Sequence, residues 1–536
     1  MKKTVIAKAN LLAAMSIACT FTIACGAGND VPPHPIVSIS KSQNPLVAEY
    51  SVAMGCAGQA MVEFGPDTSY GRSTAWYPVA GNYVSTPILV AGMKASTTYH
   101  MRGQTQCLGN TTTMGDLTFT TGPLPSISFP TLTVARPNPS LSSQENPGIE
   151  LVDVIPTGKS PIISAFFTDR DANPIWYYPM APGYYAATIK FLPNGHLIMS
   201  LASSSDSLLR EVDLAGGTIR ELDIVTLQQK LQQIGADFAP GGFHHDLLPL
   251  PNGHLIALVN SIKSFTNLVD YPGMIEVQGD QLVDLDENWN PVWTWNSFDY
   301  LGNGMDINRH LNGLPDWTHS NALVYSPYDG NVLLSMRHQS WILKINYNNG
   351  AGDGSIVWRL GYQGNEYGAG FDLTDGGIPT ADPSLWFSFQ HFPILLNQSG
   401  PQSTLAIWDN GDNRPVDNGG GLLCLEAPGS ANPCYSRATI FQVDESAMIA
   451  DLQWADPLQL FGIWGGNINQ LPNGNVEFDL NAPAIPPSPN VASQVQEVTQ
   501  TSSPQVIWSM DISPSTANAY RAYRVPSLYP GVSWPF

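Results

Sequence analysis

The feature that most constrains this chain is an internal repeat of strand, tight turn and strand. The turns fall at Asn194-Gly195, Asn252-Gly253, Asp329-Gly330, Ser399-Gly400 and Asn473-Gly474, 58 to 77 residues apart. A second mark recurs with it, a strand bearing tryptophan at Trp176, Trp293, Trp358, Trp454 and Trp508. Units of this length suit four-stranded propeller blades with insertions. Five units are visible, and residues 149–180 and 500–536 together supply a sixth. The expected fold is all-β, a six-bladed β-propeller over 149–536, with seven blades the main competitor. The Asn-Gly turns are structural, because two-residue hairpins need positive φ. His196 and His254 follow such turns and are expected at exposed strand starts, and the tryptophans between blades.

Composition agrees with many short strands. Charged residues are 12% of 536, against 48 Gly, 44 Pro and 14 Trp. Residues 33–122 carry alternating strands with turns at short intervals, the pattern of a small β-sandwich domain. LVAGMKASTTYHMRGQ followed by LTFTTG resembles a fibronectin type III domain, with Tyr99 as its corner tyrosine and His100 on a strand face. Residues 123–148, rich in Pro, Ser and Asn, read as a linker.

The first 24 residues read as an export signal: Lys2, Lys3 and Lys8, then an apolar run from Leu11 to Ala24. Thr22-Ile23-Ala24-Cys25-Gly26 suggests a lipoprotein cleavage site with Cys25 as the lipidated residue; an ordinary signal peptide is the alternative. Ala27 after Gly26 favours delivery to the outer membrane over retention at the inner one, by resemblance to sorting patterns. Periplasmic or outer-membrane-anchored localisation is expected, with membrane contact only through the lipid. Removing the leader's three lysines takes the net charge from −21 to −24, which disfavours nucleic acid. It also means that an anionic substrate needs a locally positive pocket. Cys56, Cys107, Cys424 and Cys434 remain, and three connectivities are possible. Cys56–Cys107 and Cys424–Cys434 are favoured because each pair lies within one structural unit. No CxxC or Cys/His cluster suggests a metal.

Three repeat copies begin with histidine: HHDLLPLPNGHLIAL from His244, HSNALVYSPYDGNVLLS from His319 and HFPILLNQSGPQSTLAIW from His391. Two related units carry Ala186 and Gly465 at that place. In a propeller, equivalent positions converge on the axis, so three imidazoles would share one pocket. Each alone is as readily a satisfied core residue; three matched instances among ten histidines shift the balance. Asn321 falls two residues after His319, on the same face if extended. Arg337 returns on the next strand, where a solvent salt bridge is the alternative to a pocket role. Its planar fork suits sulfate, phosphate or carboxylate.

DWTHSNALVY with LLSMRHQSWILKI, FSFQHFPILL with IWDNGDNR, CYSRATIFQVDE and AYRAYRVPSLYPG resemble the bacterial arylsulfate sulfotransferases over roughly residues 149–536. The resemblance implies an exported enzyme moving a sulfuryl group from an aryl sulfate donor to a phenolic acceptor without a nucleotide donor. It implies no metal or other cofactor, and a possible homodimer. By motif, His391 is the residue transiently sulfated, while His319, Asn321 and Arg337 line the sulfuryl group. An earlier blade adds a histidine: the repeat alignment selects His244, adjacent His245 is the alternative, and Asp246 would accept an imidazole N–H from one of them. His244 is then the candidate proton donor to the departing phenolate, and Arg414, in DNGDNR, a further substrate-binding candidate. The chain departs from the pattern in its cysteines: some members have a pair shortly before the nucleophile, whereas Cys424 and Cys434 follow it. That puts the acceptor side in doubt more than the nucleophile.

Other readings compete. A three-histidine channel site suits Zn²⁺, although Arg337 beside it is unwelcoming to a cation. A tethered propeller that binds ligand without turnover is another. A quinone-dependent dehydrogenase also has a propeller with repeated tryptophan, but leaves the histidines unexplained.

Overall fold

A computed structural model describes residues 34–536, except 128, 157–161, 182, 237–239, 269–270, 302–315, 415–423, 425–433, 459, 482–490, 515 and 536. Cys25 and the leader lie outside the described residues. Among these residues, no helix is long and apolar enough to cross a membrane.

The N-terminal unit is a sandwich. One sheet is built from Ile36–Lys41, Ala48–Ala53 and Thr86–Val90; the other centres on Gly58–Gly65 and Thr98–Cys107. Ala48, Tyr50 and Val52 point inward and their neighbours outward, the two-residue period of a half-buried strand. The Tyr99 hydroxyl accepts the Lys94 backbone N–H at 2.9 Å, which ties down the sheet corner. Cys56 is bonded to Cys107 and Cys424 to Cys434, the favoured pairing.

Six blades follow. The innermost strands of blades two to six are Tyr185–Phe191, Pro240–Pro249, Ser320–Ser326, His391–Ser399 and Asn467–Gln470. Blade one takes its innermost strand from the end of the chain: Ala517–Val525 pairs antiparallel with Ile149–Pro156 and closes the ring. The closure is clamped by charge. Buried Arg524 reaches Glu150 at 2.5 Å and also pairs with Glu497 and Glu477. Residues 123–148 do more than connect, because Thr131–Ala135 adds a fifth strand to the outer edge of blade six. Glycines 195, 253, 330, 400 and 474 all have positive φ, as the turn chemistry requires.

Four of the five recurrent tryptophans bolt neighbouring blades together by a hydrogen bond, and Trp358 packs in an apolar cluster with its indole N–H unpartnered. Trp176 donates its indole N–H to the Leu214 carbonyl of the next blade at 2.7 Å. Trp293 does so to Gly352, Trp454 to Thr501, and Trp508, across the closure, to Arg170. His196 and His254 are half-buried rather than exposed, because Glu211 and Asp284 on the adjoining strands hold them at 2.6 and 3.1 Å. The C-terminal segment fastens propeller to sandwich. The Tyr529 hydroxyl accepts from Ala91 N–H and donates to the Leu89 carbonyl, and Trp534 donates to Ser73.

Candidate functional site

The histidines sit at or near the starts of the innermost strands. Four of these strands carry a register irregularity near this level, at Ala186/Thr188, Phe243/Leu247, Ser320/Ala322 and His391/Ile394. A bulge re-aims side chains that regular alternation would send elsewhere. Left-handed backbone clusters here too: φ is +51° at His245, +46° at His319, +52° at Phe389 and +45° at Phe392. Non-glycine residues hold that conformation at a cost, and such residues concentrate at functional sites.

The imidazoles meet. His245 packs edge-on against His319 with centroids 4.7 Å apart, and His319 stacks on His338 at 4.6 Å. Tyr520, from the closing strand, packs against His245 at 5.6 Å and against His391 at 6.1 Å. One pocket therefore holds side chains from blades one, three, four and five.

His391 is buried and its tautomer is fixed by its neighbours. The Asn410 amide donates to the carbonyls of Gly462 at 2.7 Å and Gly465 at 3.2 Å. Its Oδ1 therefore faces His391 Nδ1, at 2.7 Å, and only accepts, so Nδ1 carries the proton. Nε2 keeps its lone pair and faces the Gly465 N–H at 3.3 Å. Burial, and then the Arg337 charge, push the His391 pKa well below the ordinary value. The ring is a neutral imidazole whose Nε2 lone pair accepts one long hydrogen bond, from the Gly465 N–H.

Arg337 is buried and fully engaged on one side. Nη2 donates to Asp412 at 3.0 Å and to the Ile463 carbonyl at 2.6 Å, and Nη1 donates to His338 Nε2 at 2.8 Å. Its Nε has no partner. Burial pushes Asp412 up to about 7, against the opposing pull of Arg337. That acid is then only partly charged near neutral pH, and it offsets the guanidinium charge incompletely. Because Arg337 occupies Nε2 of His338, Nδ1 carries the His338 proton and donates to the Asp316 carbonyl at 2.5 Å. Burial first, then the neighbouring His319 and Arg337, drop His338 to about 3.

His244 sits one step behind His245. Its Nδ1 is 2.7 Å from His245 Nδ1, and its Nε2 is 3.2 Å from Asp280. Burial raises the Asp280 carboxyl, but hydrogen bonds from His244, Ser320 and Thr318 outweigh it and hold it below the usual range. Asp280, His244 and His245 thus form a file leading to the pocket. Asp246 does not take the expected imidazole proton. Its oxygens face Arg521 at 2.9 Å, Lys190 at 3.0 Å and the Leu323 N–H at 2.9 Å, because the irregular strand turns it to the layer below.

Asn321 is buried behind the pocket wall and donates to the Gln390 carbonyl at 2.7 Å, bracing the residue before His391. Its Oδ1 is unpartnered. Arg414 braces the adjoining turn: it donates to Asp409 at 2.6 Å and lies 4.0 Å over the Tyr435 ring. None of its contacts is to a histidine.

Sequence reading missed Tyr520, His338, Asn410, Asp412 and Asp280. Tyr520, His338, Asn410 and Asp412 lie inside the motifs AYRAYR, SMRHQ and DNGDNR, where their residue types were the only signal. The Tyr520 hydroxyl is buried without a hydrogen-bond partner, and burial lifts its pKa to about 12. Asp316, His319 and His338 place possible metal-ligand atoms within 4.8 Å of one another. His319 Nδ1 is already spent on the Asp316 carboxylate at 2.5 Å, and the two His338 nitrogens on the Asp316 backbone carbonyl and on Arg337. The donor set suits an anion better than a cation.

The solved structures most like this chain include a protein of unknown function from Bacteroides caccae, at 9% identity and TM-score 0.38, covering 70% of this chain and 98% of that one. A Lactobacillus plantarum protein is similar at 8% identity and TM-score 0.36, covering 70% and 99%. Dihydro-heme d1 dehydrogenase is similar at 12% and 0.31, covering 73% and 80%. Likenesses at this level carry no functional argument. No curated protein matches the chain. The arylsulfotransferase (ASST) family profile does match, over residues 156–524, more than half of the chain and nearly the whole propeller. The chain belongs to the arylsulfotransferase family and is an aryl-sulfate sulfotransferase.

Proposed function

We propose that the chain transfers the sulfuryl group in two steps through a covalent intermediate on His391. The observation that carries this reading is the tautomer lock: Asn410 keeps the proton on Nδ1 and so leaves the lone pair on Nε2, where a long hydrogen bond from the Gly465 N–H gives way to sulfur. In the first step the Nε2 lone pair attacks sulfur, an N–S bond forms, and the bond from sulfur to the aryl oxygen breaks. The aryl oxygen leaves with the bonding pair and takes a proton. Its pKa, about 10 for an ordinary phenol, makes a nearby donor useful. The Asp280–His244–His245 file and the unpartnered Tyr520 hydroxyl are the candidates. In the second step the acceptor phenol loses its proton to the same group, its oxygen attacks sulfur, and the N–S bond breaks. The unpartnered Nε–H of Arg337 and its charge stabilise the sulfuryl oxygens as they gather negative charge.

Neither Asn321 nor Arg414 touches the reacting group in this scheme. Asn321 positions the His391 loop, and Arg414 braces the turn that carries Asp412. The leader sequence supports an exported chain held at the outer membrane through Cys25.

Initial rates with donor and acceptor varied together test the scheme. Parallel double-reciprocal lines are expected for the parent, and transfer is expected to be abolished in His391→Asn. Intersecting lines, or transfer retained by a folded His391→Asn protein, contradict it.

A further inference from the structure

Of the 14 tryptophans, all but Trp76 and Trp464 pack in a hydrophobic cluster. Trp76 belongs to the sandwich, but Trp464 stands at the catalytic pocket. It lies between Ile463, whose carbonyl accepts from Arg337, and Gly465, whose N–H faces His391 Nε2. The Trp464 ring is half-buried and runs nearly parallel to Tyr520, 19° apart with centroids at 6.5 Å. Tyr520 in turn touches His391 and His245. Beside it, Ile463 is 38% exposed, an aliphatic side chain left on the rim.

The positions flanking Ile463 and Trp464 require glycine. Gly465 and Gly466 have φ of +66° and +91°. A Cβ on Gly466 would meet the Trp408 indole and the Asp479 carbonyl, and one on Gly462 would meet the Asn481 carbonyl. Ile463 and Trp464 are therefore the only side chains this turn presents, and both are apolar. A tight turn that leaves an indole half-exposed beside the pocket suits a flat apolar ligand.

We propose that Trp464 is the aryl platform of the site. The aromatic ring of the donor, and then of the acceptor, lies against the indole while its oxygen meets sulfur at His391. This rests on the histidine-transfer reading and adds to it the residue that selects aromatic substrates. Such a contact acts in binding both partners more than in the bond change itself, so its loss is expected in KM and not in kcat.

The test compares Trp464→Leu, which keeps apolar bulk without a ring, with Trp464→Phe, which keeps a ring. Steady-state kinetics with 4-nitrophenyl sulfate and phenol are expected to show KM for both substrates raised about ten-fold in Trp464→Leu, with kcat nearly unchanged. Trp464→Phe is expected to stay near the parent. Wild-type KM values in Trp464→Leu, or equal losses in both variants, overturn the proposal. Mass spectrometry of the parent with donor alone keeps the two ideas apart. Absence of a sulfuryl group on His391 would refute the covalent step, while the KM comparison would still judge the platform.

Discussion

Asn410 Oδ1 lies 2.7 Å from His391 Nδ1, and two backbone carbonyls prevent the amide from turning over. An acceptor thus dictates which imidazole nitrogen keeps its lone pair. The arrangement resembles the role of a carboxylate behind a catalytic histidine, but without its negative charge. Asn410 therefore orients the ring without raising its basicity as far as a carboxylate would.

The first prediction concerns this lock. Asn410→Ala frees the ring to carry its proton on either nitrogen. We expect kcat to fall by about 10- to 100-fold with KM little changed. Steady-state kinetics measure it, and an unchanged kcat would show that the tautomer is set elsewhere.

A second prediction separates chemistry from stability at Tyr520. Its hydroxyl is buried and unpartnered, so removing it leaves no other group unsatisfied. Tyr520→Phe should keep or raise the Tm while lowering kcat by about ten-fold or more. A thermal melt and a rate assay on one sample decide it; a lowered Tm with normal turnover would make the hydroxyl structural.

A third prediction concerns acid. Burial lowers His338 to about 3, while an unfolded histidine titrates near 6.5. Between these values the unfolded chain binds the extra proton, so this group's contribution to stability is complete above about pH 6.5 and is lost as pH falls toward 3. Asp153 and Asp412, raised to about 7 by burial, act in the opposite sense, losing stability as pH rises from the ordinary carboxylate range. The wild-type curve mixes both. The difference between wild type and His338→Gln isolates the histidine, and the variant's Tm should fall less steeply between pH 6.5 and 4. Equal slopes would mean that His338 is not held neutral.

Much of the fold was legible because it is periodic. The turns ending in Gly195, Gly253, Gly330, Gly400 and Gly474, and the tryptophans from Trp176 to Trp508, follow from short-range chemistry repeated blade by blade. The same register placed His319 and His391 at one level but selected His244, whereas His245 is the ring that packs on His319. What escaped depends on departures from it. The irregular strand before Leu247 turns Asp246 to Arg521 and Lys190 and leaves His244 to Asp280, a residue on another strand of its blade. Tyr520 enters the site only because the last strand closes the first blade. Thr131–Ala135 pairs with Val506–Ser513 across most of the chain, so nothing local distinguishes it from a linker.

The most direct measurement is peptide mapping of protein quenched with aryl sulfate and no acceptor. The account predicts one added sulfuryl group, carried by the peptide containing His391, and its loss when a phenol is supplied. An unmodified His391 peptide under conditions of full turnover, or a sulfuryl group on another residue, would contradict it.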